Sequence, residues 1–192
     1  MPLKPNAFYH IYLSGEYEQR LFRSSADYEQ FLRLYTQHMS NVFDTYAYCL
    51  LPNHFHFFVR VHTLRGQINC WEGALEDFRP SSPFTQLKRL LNDDTAPLNG
   101  NLPLDALQII QVTQRQQFPY LIRYIHQNPT LHAHCDNFRN WRWSSYRALL
   151  GGQPTRIPTE IVMRWFHTVD WFEELHWETQ DITQLGYLIV AD

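Results

Sequence analysis

The segment His54–Val61, HFHFFVRV, decides how the rest of the 192-residue chain is read. It is dense in aromatic and β-branched residues, the composition of a strand. Alternation puts Phe55, Phe57, Val59 and Val61 on one face and His54, His56, Phe58 and Arg60 on the other. The first set is wholly apolar and takes the core. Two imidazoles therefore project together from the opposite face.

Ahead of this strand, Pro52-Asn53 is a turn pair, and Val42–Leu51 (VFDTYAYCLL) reads as a strand, so the two segments form a hairpin. Phe8–Leu13 (FYHIYL) reads as a further strand, on which His10 either lines a groove or packs. Ser24 or Ser25 caps a helix to about Met39, with Tyr28, Phe31, Leu32, Leu34 and Tyr35 in a mostly helical period. Residues 62–82 read as a long loop, and residues 83–92 as a short helix with Phe84, Leu87, Leu90 and Leu91 on one side. A polar loop over 93–105 leads to a strand over 107–113. Residues 118–127 form a helix that stops before Pro129, because a residue preceding proline is pushed out of the α region. Another helix starts at the Ser144-Ser145 cap and ends at Gly151-Gly152, and the remainder suggests one more amphipathic helix with a trailing strand or arm.

The order strand, helix, strand, strand, helix, strand is the split βαβ pattern. It predicts an α+β fold, an antiparallel sheet with helices on one face. A domain over residues 1–150 would carry a C-terminal helical extension over 151–192, packed on or near it.

Composition narrows the class. Hydrophobic residues are 44% and charged residues 18%, which excludes a disordered chain. No window approaches 18 consecutive apolar residues, and Met1–Asn6 lacks the apolar core of a signal peptide. Cys49, Cys70 and Cys135 are an odd number at wide spacing, which suits reduced thiols and a cytoplasmic address. The net charge of −3 conceals an asymmetry. Residues 111–165 hold seven arginines against Asp136 and Glu160, whereas residues 166–192 hold six acids and no Lys or Arg. The arginine block suits phosphate, and the acidic tail either lies against it in competition with nucleic acid or belongs to a helix merely packed on the domain.

Residues two apart on a strand stand roughly 7 Å apart at Cα, so one ion can bridge the His54 and His56 rings. A divalent ion needs a third ligand. The helix holding Tyr124-Ile125-His126-Gln127-Asn128 offers one, since Tyr124 and Asn128 share a face at i and i+4. Two neutral imidazoles and a neutral amide would leave Mg²⁺ or Mn²⁺ at full charge, open to a phosphate oxygen, with a phenol one turn away. On their own, the two histidines read more readily as polar residues of a strand face than as ligands, and Tyr124 reads also as a packed aromatic.

Three runs in order, Tyr48-Cys49-Leu50-Leu51-Pro52-Asn53-His54-Phe55-His56, Arg123-Tyr124-Ile125-His126-Gln127-Asn128-Pro129 and Trp143-Ser144-Ser145-Tyr146, resemble the REP-associated tyrosine transposases. These belong to the single-tyrosine transposases of the His-hydrophobic-His endonuclease superfamily. The resemblance covers about residues 7–150 and implies a ferredoxin-like domain that cuts single-stranded DNA beside a hairpin. It implies His54, His56 and Asn128 as the ligands of Mg²⁺ or Mn²⁺, and Tyr124 as the nucleophile that forms a 5′-phosphotyrosine. Arg115, Arg123 and His126 are candidate DNA contacts. A monomer is expected, since no long hinge precedes the tyrosine helix. The alternatives are a decayed or domesticated binder of single-stranded or hairpin DNA, and a metal-dependent hydrolase in which Tyr124 is structural.

Two departures stand out. After Asn128-Pro129 the family continues with a small apolar residue, a basic pair and a glycine; this chain has Thr130-Leu131-His132-Ala133-His134. No basic residue lies between Arg89 and Arg115, and Asp93, Asp94 and Asp105 occur there instead. A thinned basic groove predicts weak single-strand affinity or a preference for a particular DNA shape.

Overall fold

A computed structural model of the chain describes residues 3–14, 20–62, 83–91, 107–151, 155–178 and 185–189. Most of the two expected loops, together with Cys70, Asp93, Asp94 and Asp105, lies outside the described residues. β1 (Phe8–Ser14), β2 (Phe43–Leu50), β3 (His54–Val61) and β4 (Leu107–Val112) form a four-stranded sheet in the order β2-β3-β1-β4. Each neighbouring pair is antiparallel. This is the ferredoxin-like α+β arrangement.

The pleat of β3 separates the residues as its alternation requires. Phe55, Phe57, Val59 and Val61 join one apolar core, and Phe58 joins the core on the opposite face. The first core is closed by α1 (Ser25–Met39) and α2 (Pro83–Leu91), which supply Tyr28, Phe31, Leu34, Tyr35, Leu87 and Leu90. Aromatic contacts dominate: the rings of Tyr35 and Phe57 stack at 4.2 Å, and Trp143 stacks on Tyr28 at 4.7 Å. Asp27 fixes the start of α1 by accepting from the backbone N–H groups of Arg23 and Ser24.

The expectation of helices on one face holds for these two crossover helices. The second face carries a layer of its own, made of α3 (Phe118–Leu131), α4 (Tyr146–Leu150), α5 (Thr159–Phe166) and α6 (Val169–Trp177). Strand order dictates only the first layer; the second is required by Phe58, Tyr46 and Phe8, apolar rings on that face. A register shift between Thr45 and Ala47 adds a residue to β2, so that Tyr46 and Ala47 both join this second core.

Two helix boundaries differ from the sequence reading. The end of the chain forms two helices, α5 and α6, rather than one; Thr168 breaks them and caps α6 by accepting from the Trp171 N–H. α3 runs through Pro129 to Leu131. Pro129 removes one donor near the end of the helix, and the next turn closes regardless, with the His132 N–H donating to the Asn128 carbonyl at 3.0 Å. The helix then stops in a Schellman turn: the N–H groups of His134 and Ala133 donate to the carbonyls of Pro129 and Thr130. Ala133 takes φ +53° to close it.

Polar atoms buried between these layers are joined in a chain. His126 on α3 is fully buried, with Nε2 2.7 Å from Ser145 Oγ and Nδ1 2.8 Å from His176 Nε2 on α6. His176 Nδ1–H donates to the Phe172 carbonyl, and Ser145 Oγ accepts from the Tyr48 N–H of β2. The network ties the C-terminal helices and the sheet to α3. Burial, with a smaller contribution from the charges of Arg123 and Arg139, lowers the pKa of His176 to about 3, and burial holds His126 well below its ordinary value.

Ala133→Gly is expected to stabilise the fold by about 1 kcal/mol in urea denaturation, since glycine adopts positive φ without a Cβ clash. Histidine 176 is neutral in the folded protein and protonated in the unfolded chain between pH 6.5 and about 3. Its stabilising contribution is complete above pH 6.5 and is lost as the pH falls towards 3. Denaturation at stepped pH below 6.5 should therefore show a steeper loss for the wild type than for His176→Leu, by up to about 1.4 kcal/mol per pH unit.

Candidate active site

His54 and His56 leave β3 on the α3 side, with ring centroids 5.3 Å apart and planes at 86°. Burial is the main cause of a lowered pKa in both. His54 falls to about 4, with His132 contributing next, and His56 falls well below the ordinary value, with His10 next. Near pH 7 both rings are therefore neutral and each keeps one nitrogen lone pair.

α3 brings the third donor. The Asn128 side chain folds back along the helix, and its Nδ2 donates to the Tyr124 carbonyl at 2.9 Å. A carbonyl only accepts, so this bond fixes which end of the amide is nitrogen and turns Oδ1 outwards. Oδ1 lies 3.3 Å from His54 Nε2. Among the described residues no group of three His, Cys, Asp or Glu is placed to hold a metal, so the third donor has to be of another type. An amide oxygen beside two neutral imidazoles fits Mg²⁺ or Mn²⁺, which accept oxygen and imidazole donors and retain open positions.

Tyr124 stands one helical turn before Asn128 on the same face, its ring 5.6 Å from that of His56 at 83°. It is 8% exposed. His54, His56, Asn128 and Tyr124 are thus brought together within one chain. The candidate DNA contacts divide. Arg115 is exposed in the 3₁₀ turn before α3. Arg123 is buried, its Nη1 donating to the Leu175 carbonyl and lying 3.6 Å from Glu178. His126 is consumed by the network with Ser145 and His176. Neither of these two side chains presents itself on the surface, because the C-terminal helices cover that flank of α3. Acidic residues of the tail do meet the arginine block, as Glu173 accepts from Arg139 at 2.6 Å.

Three neighbours carry weight that the motifs alone did not assign. His132 is the C-cap of α3 and lays its ring 4.5 Å from that of His54. Asn53 Oδ1 lies 2.9 Å from His54 Nδ1. His10 is fully buried, its Nε2 3.0 Å from His56 Nδ1 and its Nδ1 2.8 Å from the Leu188 carbonyl. Burial takes its pKa down to about 4. The signal for His10 was present: alternation in FYHIYL puts His10 and Tyr12 on one face, and pairing of β1 with β3 turns that face towards His56.

No family model and no curated protein matches the chain. Among solved structures, the chain is similar to a REP-associated tyrosine transposase bound to a REP hairpin. The TM-score is 0.53 at 13% identity, over 80% of this chain and 86% of that one. At that identity the likeness is one of fold.

Proposed function

We propose that the protein is a metal-dependent endonuclease and transposase of single-stranded DNA, acting beside hairpin repeats through a covalent tyrosine intermediate. The observation that carries this reading is the meeting of Asn128 with His54, whose ring stands beside that of His56, one helical turn from Tyr124. The likeness in fold to a hairpin-bound tyrosine transposase supports it.

In this reading His54, His56 and Asn128 hold Mg²⁺ or Mn²⁺. When bound, the ion polarises a phosphoryl oxygen and offsets charge that builds up on it. Tyr124 Oη attacks the scissile phosphorus. A bond forms between Oη and phosphorus, the bond to the 3′ oxygen breaks, the phenolic proton passes to solvent and the departing oxygen takes up a proton. The 5′-phosphotyrosine conserves the phosphodiester energy, so attack by another 3′-hydroxyl rejoins the strand. The face that aims Tyr124 also fixes Asn128, which keeps the nucleophile in register with the ligands. The site is complete within one chain, in keeping with a monomer. Among the described residues no helix is long and apolar enough to cross a membrane.

A second reading, DNA binding without cleavage, draws on the 8% exposure of Tyr124. The two separate cleanly. Incubation with Mn²⁺ and hairpin-flanked single strands should yield a covalent protein–DNA adduct that is lost in Tyr124→Phe while binding persists. His56→Ala should lower adduct formation by about a hundredfold or more, and chelation of the metal should do the same. Binding with no adduct in the wild type would favour the second reading. Phosphate contact at Arg115 would appear as a salt slope, d log K/d log [salt], shallower by about 0.7 in Arg115→Ala.

A further inference from the structure

We propose that His10 is a positioning residue for the metal site, a relay that holds His56 in one tautomer and ends on the backbone carbonyl of Leu188. The inference rests on the cleavage-site reading and deepens it: it assigns the group behind the first ligand shell and gives the C-terminal segment a part in the site.

The hydrogen bonds allow one direction. The Leu188 carbonyl accepts only, so His10 Nδ1, 2.8 Å away, carries a proton. A neutral ring has one N–H, which leaves His10 Nε2 as an acceptor. The atom facing it at 3.0 Å is His56 Nδ1, and that atom must donate. A neutral His56 that donates from Nδ1 has a bare Nε2, the lone pair a cation needs. A carbonyl cannot be flipped end for end as a side-chain amide can, so the relay has a fixed terminus. His10 is fully buried and His56 is 5% exposed, so water does not compete for these bonds. Among the described residues no carboxylate is hydrogen-bonded to either ring, which leaves the neutral forms as the ones that burial favours.

The rings are held in orientation as well as in tautomer. His10 and His56 lie 5.2 Å apart with planes at 16°, and Tyr12 is set against both at 4.9 and 5.5 Å. Leu188 is equally constrained. Its side chain is buried in the core beneath α3, and its N–H donates to the Leu185 carbonyl at 2.9 Å. The carbonyl that terminates the relay is therefore anchored by the apolar core, and β1 transmits its position to β3.

Long-range ¹H–¹⁵N NMR of the metal-free full chain reads the tautomer directly. The Nδ1–H form of His56 is expected; the Nε2–H form in the wild type would overturn the proposal. Mn²⁺ titration of folded His10→Phe, which keeps ring volume and removes the acceptor, should show affinity lowered by about tenfold or more. His10→Asn, whose Oδ1 can accept from His56, should recover part of the loss. Equal affinity in His10→Phe and wild type would overturn the proposal. Should His10→Phe fail to fold, the wild-type tautomer and the His10→Asn titration decide. A wild-type chain that takes up no Mn²⁺ would overturn the cleavage-site reading and the relay's role in it together, and is told apart because the tautomer is read without metal.

Discussion

Both faces of β3 are buried, and most of the molecule follows from that constraint. One face is apolar and packs on α1 and α2 with no polar group to satisfy. The other carries two imidazoles under a second layer of helices, where each ring nitrogen must find a partner or lose hydration without recompense. The partners found are Asn53, Asn128 and His10, contributed by the turn before β3, by α3 and by β1. Polar satisfaction in a buried layer is directional, and it fixes how the two rings are turned.

The same logic explains Asn128. A helix interior leaves a short amide little to do except bond its own backbone. Here it does so, to the Tyr124 carbonyl, and that bond spends the NH₂ end and presents the oxygen. Pro129 follows at once and cannot offer a backbone donor that would draw the chain elsewhere. The Schellman turn at Ala133 then seats His132 against His54. The short stretch from Tyr124 to His132 thus carries the phenol, the amide and a third imidazole to one place by local rules alone.

How much of this the sequence discloses depends on whether the pattern is local. HFHFFVRV alternates with period two, so the face of each residue is readable before any fold is known, and β3 has the residues that pattern demands. Capping at Ser24 and Asp27 is likewise local. Pro129 misleads because its cost falls on a single bond near a helix end, where the helix tolerates it. The break between α5 and α6 is set by the Thr168 cap, a weak local signal inside an amphipathic run. Arg123 and His126 are the clearest failures of composition: as members of a basic, polar block they read as surface residues. They are buried because α6 arrives from fifty residues downstream with His176 and the Leu175 carbonyl. Nothing within the helix itself announces that. His10 lies between the two cases, since its face is readable but its partner becomes visible only once β1 is known to neighbour β3.

The connection from β2 through Ser145 to His126 and His176 has a mechanical consequence. α3 is braced at its flank by bonds that run across it, while its far side faces the imidazoles. A force applied to the helix along its axis would be shared with the sheet and with α6 rather than borne by the helix alone. The helix that carries the Tyr124 phenol is thereby stiffened against displacement along its axis.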